Sequence, residues 1–243
     1  MKQGTDEWHE LRHNRLTASS FSTALGFWGV ERRAEFWEEK VGLRDKFSGN
    51  PATQWGSTQE ACAIKRYQEV TGNVVHLMGF KIYKEEDDVQ GWMGASPDGL
   101  IHHSSHSSQK GGILEVKCPY NKGKPEHCLP WLSAPYYYMP QMQGLMEILD
   151  RDWLDLFVWT LNGFSIFRVD RDAKYWALIY GVLSDFWWAS VVPAKQSLLL
   201  QKNVDVNIYK PSGLHRMTTI IVNESRRLAS KAPLIQKELI NKL

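Results

Sequence analysis

Two short runs hold residue types that do chemistry together: Ser96-Pro97-Asp98-Gly99 and Leu114-Glu115-Val116-Lys117-Cys118-Pro119. Side chains alternate across a strand, so Glu115 and Lys117 project to one face while Leu114 and Val116 project into a core. A carboxylate and an ammonium on an otherwise apolar strand, beside a second acid from the adjacent strand, are costly to bury uncompensated. A divalent cation bound by Asp98 and Glu115 supplies the compensation, and hard oxygen ligands suit Mg²⁺ or Mn²⁺. In phosphodiester hydrolysis such an ion lowers the pKa of bound water and neutralises charge building on the phosphorus oxygens. Lys117 would orient or help deprotonate the attacking water and stabilise the same charge. An acid followed by acid-x-Lys on a hairpin is a coherent phosphodiesterase site. Plainer readings stand beside it: Pro97-Asp98-Gly99 also suits a turn, and Glu115 with Lys117 an exposed ion pair.

The elements that must hold these residues are marked along the chain. Hydroxylated residues Thr17 to Ser20 cap a helix carrying Phe21, Ala24 and Leu25, and a second helix runs through Glu31 to Val41. Gly49 to Pro51 reads as a loop. Ser57 with Glu60 three residues later is a capping-box pattern opening a third helix, which stops at Gly72. The texture then changes to strands over Val74–Tyr83, Gly91–Ile101 and Gly112–Lys117, with His102 to Lys110 as the loop of a hairpin. Leu129 to Leu149 reads as a helix after a Pro-interrupted lead-in. Asn162-Gly163 joins two strands, Asp155–Leu161 and Phe164–Val169, and a helix runs from Asp172 to about Ala189. This order gives an α/β fold with a mixed sheet around one core.

Composition narrows the class. The chain has 243 residues with 43% hydrophobic and 23% charged, which is globular and neither disordered nor fibrous. Three cysteines, Cys62, Cys118 and Cys128, form no complete disulfide framework and supply no four-thiolate metal site, so an intracellular, reducing compartment is expected. The strongly apolar stretch near Phe186 to Ala194 is broken by Ser190 and Pro193 and falls short of a membrane span, so no membrane partner is expected. Net charge is only +2, yet residues from Lys195 onward carry +6 against −4 for the rest, which suits an anionic partner or a solvated helical appendage.

A wider set of motifs surrounds the two runs: Trp8-His9-Glu10-Leu11-Arg12, Thr17-Ala18-Ser19, Trp55-Gly56 with Glu60, and Tyr138-Met139-Pro140-Gln141-Met142-Gln143. With Ser96-Pro97-Asp98-Gly99 and Glu115-Val116-Lys117-Cys118-Pro119 they resemble, in order, lambda exonuclease and the YqaJ-like viral recombinase family of PD-(D/E)xK nucleases. The resemblance implies a restriction-endonuclease-like α/β fold, a central mixed β-sheet flanked by helices, over residues 1–193. Residues 194–243 would form a basic C-terminal extension. It implies that Asp98, Glu115 and the Val116 carbonyl are metal ligands, that Glu60 faces the metal site through a second ion or its water, and that Lys117 activates water. Arg12, Ser19, Ser96 and Gln141 match a pocket for the 5′-phosphate of a DNA end. The cofactor would be Mg²⁺, with Mn²⁺ as substitute and two ions in the site. The partner would be duplex DNA ends, the reaction 5′→3′ exonucleolysis releasing 5′-mononucleotides, and the assembly a homo-oligomer, a ring-shaped trimer.

Other functions compete for the same residues. An endonuclease on the same fold, cutting DNA or RNA, and a non-catalytic nucleic-acid-binding module are the rival functions. Ser57-x-x-Glu60 explains Glu60 fully as a cap. Arg12 and Ser19 alone read as a surface arginine and an N-cap. Gln141 and Gln143, two apart on a helix, face different ways. Loop composition explains His102, His103 and His106 better than a metal tract does, and Cys118 reads as a small buried cysteine. Tyr136, Tyr137 and Tyr138 with Trp131 fit either stacking on unpaired bases or packing at a helix start. A wedge for opening a duplex end would fall between Val41 and Trp55.

Overall fold

The computed structural model describes residues 4–45, 48–87, 91–102, 111–200 and 205–240. Its first elements are helix α1 (Asp6–His13), strand β1 (Leu16–Thr17), a 3-10 turn over Ala18–Ser20, and helices α2 (Phe21–Ala24) and α3 (Val30–Val41). Helix α4 (Pro51–Thr71) departs from the sequence reading. It starts six residues earlier than the Ser57 signal, because Asn50 and Thr53 make the capping box instead. The Thr53 amide donates to Asn50 Oδ1 at 3.0 Å and the Asn50 amide to Thr53 Oγ1 at 2.8 Å, with Pro51 in the first turn. Ser57 and Glu60 therefore lie inside the helix, and the capping explanation for Glu60 falls. Gly72 stops α4 at φ +71°, as expected.

The expected strand run splits into β2 (Val74–His76), β3 (Lys81–Ile82), β4 (Met93–Ala95) and β5 (Gly99–His102), followed by β6 (Gly112–Lys117). Two sheets result. The smaller has the order β1-β4-β3, with β1 parallel to β4. The larger also takes in β7 (Trp153–Thr160), β8 (Gly163–Asp170) and β9 (Leu234–Leu239), in the order β2-β5-β6-β7-β8-β9. Only β6 and β7 are parallel in it, so the sheet is mixed. Expected loop residues His103 and His106 lie outside the described residues; His102 ends β5 with its ring edge-on to His76.

Helices cover both faces of the large sheet. On one side Ala63, Ile64 and Tyr67 of α4 pack with Leu114, Val116 and Phe157. On the other a larger core joins Ile113, Leu154 and Leu156 to α2, α3 and helix α5 (Met139–Ile148). Two cores therefore replace the single one expected, since a sheet buried on both faces needs an apolar partner on each. The helical lead-in expected from Leu129 is irregular down to a 3-10 turn at Tyr136–Tyr138, and α5 begins only at Met139. Gly144 of α5 faces Phe21, where any Cβ would collide with the ring, so glycine permits close approach to the segment carrying Ser19.

Helix α6 (Ala173–Ser184) runs through a π-helical turn (Asp185–Val191) into α7 (Val192–Leu200). Pro193 does not end it, because in the first turn after the π segment its missing N–H costs little. This helix of 28 residues is long and apolar enough, by length and composition, to cross a membrane. Tyr175, Ile179, Leu183, Phe186 and Val191 are buried in the core, as in a core helix. Helix α8 (Thr218–Lys231) also joins that core through Ile221, and the Tyr175 and Ser225 hydroxyls pair at 2.7 Å. Strand β9 then extends the large sheet along β8.

Candidate active site

Hairpin register brings the acids together. Gly99 pairs with Leu114 across β5 and β6, so one step further along sets Asp98 opposite Glu115. The Val116 amide donates to Asp98 Oδ2 at 2.6 Å, which fixes Asp98 at the strand end. Strand alternation holds: Lys117 Nζ donates to Glu115 Oε1 at 2.6 Å, while Leu114 and Val116 belong to the core under α4. Glu115 is 2% exposed, which disposes of the exposed-pair reading. Glu60 arrives from α4. With Asp98, Val116, Lys117 and Cys118 it lines a cavity of about 410 Å³.

The charges do not balance. Burial and the neighbouring Glu115 push the Asp98 carboxyl well above its ordinary range. Glu60 is raised by the same two causes in the same order. Burial works against the Lys117 ammonium, but Glu115, Tyr138 and Asp98 outweigh it and raise its pKa. The ammonium also lies over the Tyr138 ring, 4.8 Å from its centroid. Gln141 donates to the same Glu115 Oε1 at 2.5 Å, leaving Glu115 Oε2 buried without a hydrogen-bond partner. An ionised oxygen left so is among the most expensive groups in a fold, and a cation is its natural complement. Among the described residues no three His, Cys, Asp or Glu side chains form a ready-made ligand cluster. Two carboxylates and a backbone carbonyl fit Mg²⁺ or Mn²⁺, which hold few protein ligands and keep several waters. Cys118 is no nucleophile here, because burial, with Asp98 and Glu60 nearby, pushes its thiol up to about 12.

A second cavity, of about 210 Å³, adjoins the first and shares Asp98 and Lys117 with it. All four residues matched to a phosphate pocket line it: Arg12, Ser19, Ser96 and Gln141. The small sheet accounts for this, since parallel β1 and β4 deliver the chain following each, with Ser19 and Ser96, to the same side. Arg12 donates to Ser19 Oγ at 3.1 Å. Burial lowers the Arg12 pKa to about 10, so it stays charged at neutral pH, and no described carboxylate pairs with it. Gln141 also lines this cavity, but its amide is already engaged by Glu115 Oε1. Gln143 faces elsewhere, donating to the Asp170 carbonyl and accepting from the Asp172 amide, both at 2.8 Å.

Three further residues support the site; Trp8 and Tyr138 lie within the sequence motifs, Tyr138 with base stacking as one of its readings, whereas Lys40 lies in none. Trp8 lays its ring against the Arg12 guanidinium at 4.3 Å and donates from Nε1 to Ser96 Oγ at 2.9 Å. Its i,i+4 spacing from Arg12 on α1 was the available signal. Tyr138, under Lys117, is one of three consecutive tyrosines, and sequence could not say which faces the site. Lys40 is 8% exposed and donates to the carbonyls of Arg12 (2.9 Å) and Arg15 (2.6 Å), gripping the C-terminal end of α1. Nothing in the sequence links Lys40 to that helix.

The sequence profile of the YqaJ-like viral recombinase domain matches residues 7–152. Proteins of two African swine fever virus isolates are 24% identical over 169 residues, 59% of this chain and 45% of theirs. The chain thus spans less than half the length of these curated relatives. Among solved structures, an alkaline exonuclease from Laribacter hongkongensis superposes with a TM-score of 0.61 at 25% identity, over 80% of this chain and 96% of that one. The same exonuclease in complex with dAMP gives a TM-score of 0.60. A phage-related exonuclease from Haemophilus somnus shares the fold, at TM-score 0.50, 16% identity, 78% of this chain and 97% of that one. The match covers more than half of the chain and every lining residue of both cavities, and this chain belongs to the YqaJ-like viral recombinase domain family.

Proposed function

We propose that this chain is a divalent-metal-dependent deoxyribonuclease, a 5′→3′ exonuclease that acts on duplex DNA ends and releases 5′-mononucleotides. The observation that carries the reading is the buried, unpartnered Glu115 Oε2 beside Asp98 and Lys117, with an arginine-and-hydroxyl cavity adjoining it. Asp98, Glu115 and the Val116 carbonyl would hold Mg²⁺ or Mn²⁺, with Glu60 facing a second ion. When bound, such ions supply water of lowered pKa and offset charge on the phosphorus oxygens. Glu115, Tyr138 and Asp98 raise the Lys117 pKa in the metal-free protein, and beside a bound ion its amine would activate and orient the attacking water and stabilise anionic oxygens. Arg12, with the Ser19 and Ser96 hydroxyls and Gln141, would grip a terminal phosphate.

The relatives support the substrate class, since the similar solved structures are described as exonucleases and one was solved with dAMP. The same reading proposes a homo-oligomer, trimeric on the family pattern, checked by light scattering. It also proposes a reducing, intracellular setting in which the three cysteines stay free thiols. End-labelled linear, nicked and closed-circular DNA, each with and without Mg²⁺, tests the activity directly. Linear duplex should shorten from 5′-phosphorylated ends only with the metal. Cleavage of closed circles would make the chain an endonuclease instead, and no metal-dependent turnover would leave a binding module.

A further inference from the structure

Exposed Trp28 and half-buried Tyr137 form an aromatic pair that neither core uses. Their ring centroids are 5.2 Å apart, Trp28 is 49% exposed, and neither ring packs against either hydrophobic cluster. The pair is continuous with the catalytic cavity. Trp131 and Tyr138 line that cavity and stack at 5.8 Å, and Tyr138 meets Tyr137 at 4.7 Å. On the other side Tyr137 meets Tyr136 at 5.6 Å. Helix α8 adds a cation there: the exposed Arg226 guanidinium sits 4.9 Å from the Tyr136 centroid and makes no ion pair with a described residue. Leaving rings of this size in water forgoes their burial free energy, so a ligand that covers them is favoured.

We propose that Trp28 and Tyr137, with Arg226 beside them, are a stacking platform for the unpaired nucleic-acid strand that leads to the Asp98–Glu115–Lys117 cavity. Every base has an apolar π-face that stacks on such rings without sequence preference, while the exposed Arg226 guanidinium, held only by Asn223 Oδ1 at 3.4 Å and the Tyr136 ring among the described residues, answers the adjacent phosphate. A peptide or second copy would find the rings equally apolar, but the Arg226 cation and continuity with the cavity assigned above to phosphodiester hydrolysis favour a polyanion bearing flat rings. The inference deepens the nuclease reading and rests on it for the choice of occupant.

The test uses the full chain in EDTA, which stops turnover, and fluorescence anisotropy with two labelled 12-mers of equal charge: oligothymidylate and its abasic counterpart. Trp28→Ala and Tyr137→Ala should each weaken oligothymidylate binding about tenfold and barely change abasic binding, as base stacking is worth ~1–3 kcal/mol per base. Trp28→Phe should restore most of the loss, and Arg226→Gln should weaken both ligands alike. Unchanged oligothymidylate affinity in both alanine variants, or equal loss on the two ligands with an intact thermal transition, overturns the platform. Because binding is read without cleavage, an inactive wild type with base-dependent binding would sink the nuclease reading alone, whereas an active nuclease indifferent to Trp28 would sink only the platform.

Discussion

Neighbouring strands bury one carboxylate each, and the two are treated in opposite ways. Asp155 on β7 is 1% exposed and fully answered: Arg168 Nε and Nη2 donate at 2.5 and 3.1 Å, and the Tyr67 hydroxyl donates at 2.7 Å. Glu115 on β6 is equally buried, yet its two donors crowd one oxygen and leave the other bare. Burial of a charge alone therefore says little. Unsatisfied valence separates a structural acid from one kept for a ligand, because a closed network rigidifies whereas an open one stores affinity.

Substitutions at the two acids should break or sharpen that contrast. Glu115→Ala and Lys117→Ala should each lower Mg²⁺-dependent cleavage at least ~10³-fold with an unaltered circular dichroism spectrum, in line with losses when electrostatic stabilisers of a transition state are removed. Near-wild-type turnover in either would return Glu115 to the structural class. Asp155→Ala should do the reverse, costing about 3 kcal/mol in urea unfolding by stranding the Tyr67 hydroxyl and Arg168. Arg12→Ala should slow digestion of 5′-phosphorylated ends by roughly 10–100-fold while sparing 5′-hydroxyl ends, since a charge-assisted fork is worth ~1.5–3 kcal/mol. Equal slowing on both ends would separate Arg12 from phosphate recognition.

The smallest effect is on stability without metal. A carboxyl raised in the fold contributes stability that is present below its ordinary pKa and lost as pH climbs through the raised one. Asp98 is so raised, by burial first and Glu115 second, so that stability is diminished in the metal-free protein at neutral pH. Asp98→Asn keeps an acceptor for the Val116 amide and removes the charge. In EDTA at neutral pH its melting temperature should exceed wild type by about 2–4 °C, as ~1 kcal/mol shifts a domain of this size. Mg²⁺ should raise the wild-type transition and leave the variant's in place; the same Mg²⁺ response in both would argue against Asp98 as a ligand.

Much of this was present in the chain before folding. Period-two alternation placed Glu115 and Lys117 on one face, and Gly112–Lys117 is the strand expected. Small signals led astray where a stronger one sat nearby: Ser57-x-x-Glu60 reads as a cap, yet Asn50-Pro51 starts the helix two turns earlier. Asn162-Gly163 marked the right hairpin, but Thr160 pairs with Gly163, so Leu161-Asn162 makes the turn.

Residue identity and spacing by themselves determined which groups could do chemistry, because alternation and helical period are local properties of backbone geometry. Tertiary structure alone decided which oxygen of Glu115 goes bare, that Gln141 answers the acid, and that Trp8 and Lys40 hold Arg12 in place. Those outcomes depend on contacts between segments far apart in the chain, where burial and competing donors set each group's charge and partners, and no local pattern encodes them.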